Sequence, residues 1–230
     1  MNSPSDAQAG EDEDSRSALS RPSAASLVLI LTVLGCFLTG CATTPDFKEV
    51  KQPGRPFQKM GVFFFPPVGP GWYVLEDSKK GKWNVLFNER SESAPPTNTR
   101  YVRVSVEKVE QDVWLDQFPT VRAALQSARE GFEKPPPSDR FRMLTNSSVF
   151  GKFGGVECLR HRQTVEERGD PRFPETVLIM ETERVVCFHP QNISYALLVT
   201  VSQRYKKGTR FPPLIQATDA FLQGLKFIPL

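Results

Sequence analysis

Histidine and cysteine are scarce, with two of the first and four of the second in 230 residues. So few soft ligands leave little room for a multinuclear metal centre, and without a CxxC pair the usual redox-active dithiol has no basis. GxSxG, a Walker phosphate loop, HExxH and an EF-hand loop are also missing, which removes the familiar signatures of serine hydrolysis, nucleotide binding, zinc proteolysis and calcium sensing. Ser105 and Lys108 spell SxxK, but on a strand a separation of three sends the two side chains to opposite faces. No internal repeat occurs, and no apolar run reaches the ~20 residues of a membrane-crossing helix. Charge of one sign is lacking too: 29 Lys and Arg against 26 Asp and Glu leave +3. Nothing here has the concentrated basic footprint of a nucleic-acid binder.

What is present begins with LVLILTVLGCFL, 12 residues from Leu27 to Leu38. That length suits the ~7 to 15 residue core of a secretory signal. Arg16 and Arg21 precede it, and Thr39 and Gly40 stand just before Cys41. Leu38, Thr39, Gly40 and Cys41 resemble the lipobox of bacterial lipoproteins. The resemblance implies cleavage before Cys41, a diacylglycerol on the Cys41 thiol and acylation of the new amino group. One acyl chain binds a bilayer marginally and two or more anchor it stably. Ala42, where an Asp would signal retention, implies outer-membrane sorting. An uncleaved membrane helix, a buried core helix and cleavage before Cys36 are the alternatives. The acidic opening MNSPSDAQAGEDED is unusual for an exported chain, and fits either a start site further downstream or a cytosolic extension.

On this reading residues 1–40 are an N-terminal extension and signal peptide, 41–60 a lipidated tether and 61–230 one domain. Losing residues 1–41 removes 2 of 29 basic and 5 of 26 acidic side chains, so the mature chain carries 27 minus 21, or +6. The tether, with Pro45, Pro53 and Pro56 and no apolar period, is expected to span on the order of 24 Å and hold the domain clear of the bilayer.

Short runs rich in aromatic and branched residues, GVFFF at 61–65, WYVLE at 72–76 and WNVLF at 83–87, read as strands separated by Pro and Gly turns. YVRVSVEKV at 101–109 alternates, with Val102, Val104 and Val106 on one face. Phe118, Val121, Leu125, Ala128 and Phe132 recur at helical spacing, with Pro119 in the first turn and Gly131 and the three prolines at 135–137 as the stop. Four strands follow: RFRML (140–144), GVECLRHRQTV (155–165), TVLIMETERVVCF (176–188) and ISYALLVTVSQ (193–203). In the last, Ile193, Tyr195, Leu197, Val199 and Val201 are expected on one face. A second helix carries Leu214, Phe221, Leu222 and Leu225. Strands, a helix, hairpin-linked strands and a helix describe an α+β fold, an antiparallel sheet with two main helices packed on it. PPVGPGWYVL, SYALLVTVSQ and DAFLQGLKF are similar in order and aromatic positions to the PsbP-like fold, which implies that sandwich for most of residues 60–230.

With Cys36 lost and Cys41 lipidated, Cys158 and Cys187 remain and are expected to pair in an exported chain. A hairpin that sets them opposite each other has positions summing to 345, placing Arg162 across from Glu183 and Val165 across from Met180. A metal site using His161 and His189, and free thiols, are the other readings. The acidic pairs Glu166 with Glu167 and Glu181 with Glu183 read as solvated strand edges. In RYKKGTRF, the side chains of Arg204, Tyr205, Lys206, Lys207, Arg210 and Phe211 form the candidate contact surface, suited to anionic lipid or glycan.

No catalytic, cofactor or metal residue is assigned. The expectation is a non-catalytic binding or assembly module, held to the membrane by its lipid, facing the periplasm, with an envelope protein, glycan or lipid as partner and no nucleic acid. An envelope hydrolase and an accessory subunit of a membrane complex are the alternatives.

Overall fold

The alternating valines of 101–109 make the middle of the molecule. β6 (Thr99–Lys108) buries Val102, Val104 and Val106 and leaves Tyr101, Arg103 and Ser105 half-buried on the other side. Around it lie β4 (Trp72–Lys79), β5 (Lys82–Glu89), β7 (Phe141–Phe153), β8 (Val156–Glu167), β9 (Leu178–His189) and β10 (Asn192–Lys206). With the short β1 (Lys48–Glu49) they form an eight-stranded antiparallel sheet in the order β1-β4-β5-β6-β10-β9-β8-β7. A second sheet of three strands, β11-β3-β2, is made by β2 (Phe57–Lys59), β3 (Val62–Phe64) and β11 (Lys226–Phe227). The computed structural model describes residues 46–52, 54–90, 97–110, 116–136, 138–209 and 212–230, all within one compact unit.

The fold is α+β, mostly antiparallel sheet with two helices. α1 (Val121–Glu133) starts where Thr120 accepts a hydrogen bond from the Ala123 N–H at 3.1 Å. Pro119 therefore precedes the cap, and Gly131 lies inside the helix; the prolines after it supply the stop. α1 packs over β7, β8 and β9, where Leu125, Leu159 and Phe188 form a small core. On the opposite face, the three-stranded sheet and α2 (Leu214–Gln223) close the main core around Phe64, Trp83, Phe87, Val104, Val199 and Phe221. Burying each such side chain contributes about 2 kcal/mol. Phe64 stacks on Phe57 at 5.5 Å and tilts against Phe221 at 5.7 Å. Leu225, expected on α2, is buried just past its end.

Two expectations are corrected. The tether does not extend to Met60: β1 pairs with β4, β2 pairs with β3, and Val50, Phe57 and Met60 pack against the main core. Apolar residues spaced irregularly among prolines hide a pair of two- and three-residue strands, too short to show a period. In β10 the single face splits, because the register shifts between Asn192 and Ala196. Ile193 packs under α1 while Tyr195 joins the main core, where β10 advances four residues against one on β9, an irregularity of three extra residues.

The β7–β8 hairpin turns on Gly154 and Gly155 with φ of 56° and 84°, the paired left-handed residues of a two-residue turn. β2 and β3 turn the same way on Met60 and Gly61, with φ of 51° and 77°. A Cβ at Gly61 would meet His189 Nε2 at 2.6 Å. Met60 therefore carries the strain a second glycine would relieve. Among the described residues, no helix is long and apolar enough to cross a membrane.

Candidate functional site

The sheet presents two unlike faces. Face B, under α2 and the small sheet, is sealed. Face A is covered by α1 over β7 to β9, while on β4, β5 and β6 most of its side chains are half-buried. Burial follows this division: Trp83, Val85 and Phe87 of β5 are buried, while Asn84, Leu86 and Asn88 between them stay partly open.

Register assembles face A into rows that cross the strands. One row runs Tyr73, Asn88, Tyr101, Ser202, Thr182, Gln163 from β4 to β8. The next runs Leu75, Leu86, Arg103, Thr200, Arg184, His161. Arg103 and Arg184 therefore flank Thr200, about 10 Å apart at the backbone, or two strand spacings. Their partners are neutral. Arg103 donates to the Asn84 amide oxygen at 3.4 Å, and the same oxygen accepts from Ser105 Oγ at 2.7 Å. Arg184 donates to the Gln163 amide oxygen at 3.0 Å and lies 5.1 Å from the Phe132 ring of α1. Neither arginine forms an ion pair among the described residues. Burial pushes the Arg184 guanidinium below its ordinary value, with the Tyr101 phenol pulling the other way, and it stays charged throughout the physiological range. At the β4 edge Arg90 stacks between Phe47 and Tyr73, 5.3 and 4.8 Å from their rings.

His161 closes the row beneath α1. It is fully buried, 5.2 Å from the Phe132 ring, and its Nδ1 is 3.0 Å from Ser148 Oγ. Burial first, then neighbouring Arg184, push the imidazole down to about 4, against opposing pulls from Gln163 and Glu133. It is neutral at physiological pH.

The expected contact loop is largely spent on internal bonds. Arg204 is buried against Glu167 and Asp170, Lys207 reaches Glu166 at 2.6 Å, and the Tyr205 hydroxyl donates to Glu181 at 2.9 Å. Lys206 is exposed. Arg210, Phe211 and the lipidation candidate Cys41 lie outside the described residues. Glu166, Glu167 and Glu183 are buried, not on solvated edges. The first two, with Asp170, meet six cations: Arg140, Arg142, Arg168, Arg172, Arg204 and Lys207. Lys207 and then Arg168 lower the Glu166 carboxyl to about 2. Burial pushes Asp170 up, but Arg172 and Arg204 more than reverse it, leaving it well below the usual carboxylate range. Glu183 bridges Arg160 and Arg162, and Arg160 reaches on to Asp219 of α2 at 2.6 Å.

Cys158 and Cys187 are joined, with Cα atoms 4.5 Å apart, in the register whose positions sum to 345. His161 points to face A and Cys158 to face B, as alternation demands. His189 instead clamps the chain end: its Nε2 donates to the Ile228 carbonyl at 2.9 Å, and its Nδ1 accepts from the Gln191 N–H at 3.2 Å. Beside it an open cavity of about 290 Å³ is lined by Met60, Gly61, Tyr195 and Leu230. Among the described residues, no three His, Cys, Asp or Glu side chains come together as a metal cage would need.

No family model and no curated protein matches the chain. Several solved structures are similar to it. LpqN, described as involved in cell envelope biogenesis of Mycobacterium tuberculosis, is 13% identical over 80% of this chain and 90% of that one, with a TM-score of 0.43. A mutant of the protein Mog1 is 11% identical over 76% and 95%, at 0.42. The Saccharomyces cerevisiae Ran-binding protein Mog1p is 13% identical over 80% and 97%, at 0.41.

Proposed function

We propose that this chain is a lipid-anchored lipoprotein of the bacterial envelope, facing the periplasm and sorted to the outer membrane, whose folded domain is a non-catalytic binding or assembly module of PsbP-like architecture. The bond between Cys158 and Cys187 carries the reading. These are the two cysteines left once the lipobox has claimed Cys41 and the signal has taken Cys36, and a buried bond between the neighbouring strands β8 and β9 suits an oxidising compartment. An apolar run too short to span, followed by Leu38, Thr39, Gly40 and Cys41, supports the anchor. A sheet face that carries two arginines with no acidic partner among the described residues supports binding as the domain's task.

The intact mass of the detergent-extracted native protein, before and after thiol alkylation under denaturing conditions, tests it. The expected mass is that of residues 41–230 plus acyl groups, with no alkylation until reduction. A full-length unacylated mass, or thiols that alkylate without reductant, would overturn the envelope reading.

A further inference from the structure

We propose that face A is a recognition site for a carboxylate-bearing glycan, gripped by Arg103 and Arg184. This rests on the binding-module reading and names its ligand class.

Charge comes first. Elsewhere on the sheet, half-buried arginines end on carboxylates: Arg160 on Glu183 and Asp219, Arg204 on Glu167 and Asp170. Arg103 and Arg184 end on amide oxygens of Asn84 and Gln163. An amide aims a guanidinium without neutralising it, so two oriented forks are left with donors to spare and, among the described residues, positive charge without an acidic partner. A planar carboxylate matches such a fork in shape as well as sign.

The surroundings select the rest of the ligand. Tyr73, Asn88 and Tyr101 lie in one row, repeating at the strand spacing of about 4.8 Å. Phenol and amide groups at that repeat offer donors and acceptors along a line, which suits the hydroxyls of successive sugars. Asn84 and Ser105 continue the polar lining in the row beyond Arg103. A flat bilayer fits less well. α1 stands over β7 to β9, about one helix diameter proud of the sheet, and Arg184 lies at its foot against Phe132. The result is a step with the cation in its angle, reachable by a chain laid across the strands.

Calorimetric titration of the full chain in detergent with three probes tests this: an oligogalacturonate, a malto-oligosaccharide of equal length, and glycerol phosphate as a soluble headgroup. The oligogalacturonate is expected to saturate, with the neutral sugar and glycerol phosphate at least tenfold weaker. Arg184→Gln and Arg103→Gln should each weaken binding about tenfold or more. Arg184→Lys, which keeps the charge without the fork, should fall between, and Lys226→Gln, exposed on the small sheet, should change nothing. Melting curves matching the wild type show that the variants remain folded. Equal affinity for the neutral sugar, no oligogalacturonate binding, or indifference to both glutamine variants would overturn the proposal. Tighter binding of glycerol phosphate would overturn it in favour of a membrane headgroup. The titration does not depend on the acyl state, so its failure leaves the lipoprotein reading intact, and an unacylated mass leaves the titration intact.

Discussion

Two pairs of arginines, one on each face of the long sheet, treat charge in opposite ways, while the far end of face A closes Arg204 on Glu167. Face B carries Arg160 and Arg162, and both close on one buried acid, Glu183. Face A carries Arg103 and Arg184, and neither meets an acid among the described residues. The first arrangement is a structural closure around Glu183, which is buried and, stripped of its arginines, would be a charge stranded away from water. The second is not self-sufficient, and what it leaves unsatisfied points outward. Sorting arginines by what they end on, rather than by how many there are, separates charge that holds the fold from charge available to a ligand.

The sharpest way to break that comparison is Glu183→Ala. Leaving Arg160 and Arg162 facing an empty, buried position is expected to cost about 4 kcal/mol in urea unfolding; a loss below 1 kcal/mol would mean face B does not depend on its closure. Replacing Cys158 and Cys187 together by Ala, with a sequence separation of 29, is expected to cost about 3 kcal/mol by the same assay. It tests whether the sheet under α1 needs a covalent tie in addition.

Acid should then dissolve the network in order. His161 has a folded value of about 4, below the ~6.5 of an unfolded histidine. Its contribution is therefore complete above about pH 6.5 and is lost as pH falls through 4. Glu166, lowered to about 2, contributes fully above the unfolded carboxylate value of about 4.3 and loses that contribution as pH falls through 2. Unfolding followed from pH 7 to 2 should show two successive declines, with the upper one absent in His161→Gln. A single decline below pH 4 in the wild type would contradict the burial assigned to His161. The smallest effect belongs to face A: Arg103→Gln and Arg184→Gln should each change stability by less than about 1 kcal/mol, because neither leaves an orphaned acid. A loss as large as that of Glu183→Ala would merge the two faces into one structural class.

Much of this fold was legible because long strands carry their burial in period two. β6 and β8 to β10 have enough residues for alternation to show, and the pairing of Arg162 with Glu183 followed from setting the two cysteines opposite each other. β1 and β2 were not legible: two or three residues hold no period, and their pairing is decided by β4 and β3, distant in sequence. The buried acids Glu166, Glu167 and Glu183 were misread for a related reason. A carboxylate in a strand looks solvated until the arginines that cover it arrive from other strands, such as Arg204 from β10 and Arg140 from the start of β7. Face A was invisible because its two arginines sit 81 positions apart, as 184 minus 103, and come together only through the register of β6, β10 and β9. The loop at 204–211, a conspicuous basic run, drew attention to charges that the fold mostly consumes.

The pairing of β1 with β4 starts at Lys48, and only seven peptide units separate that residue from Cys41. Drawn straight, they measure about 25 Å. A domain held by lipid at Cys41 would live on a short lead, sweeping a small volume next to its own leaflet instead of searching the compartment. Within that shell its effective concentration would be high, and a ligand anchored in the same layer would be met repeatedly at no cost in diffusion. One fixed across the compartment would have to come to it.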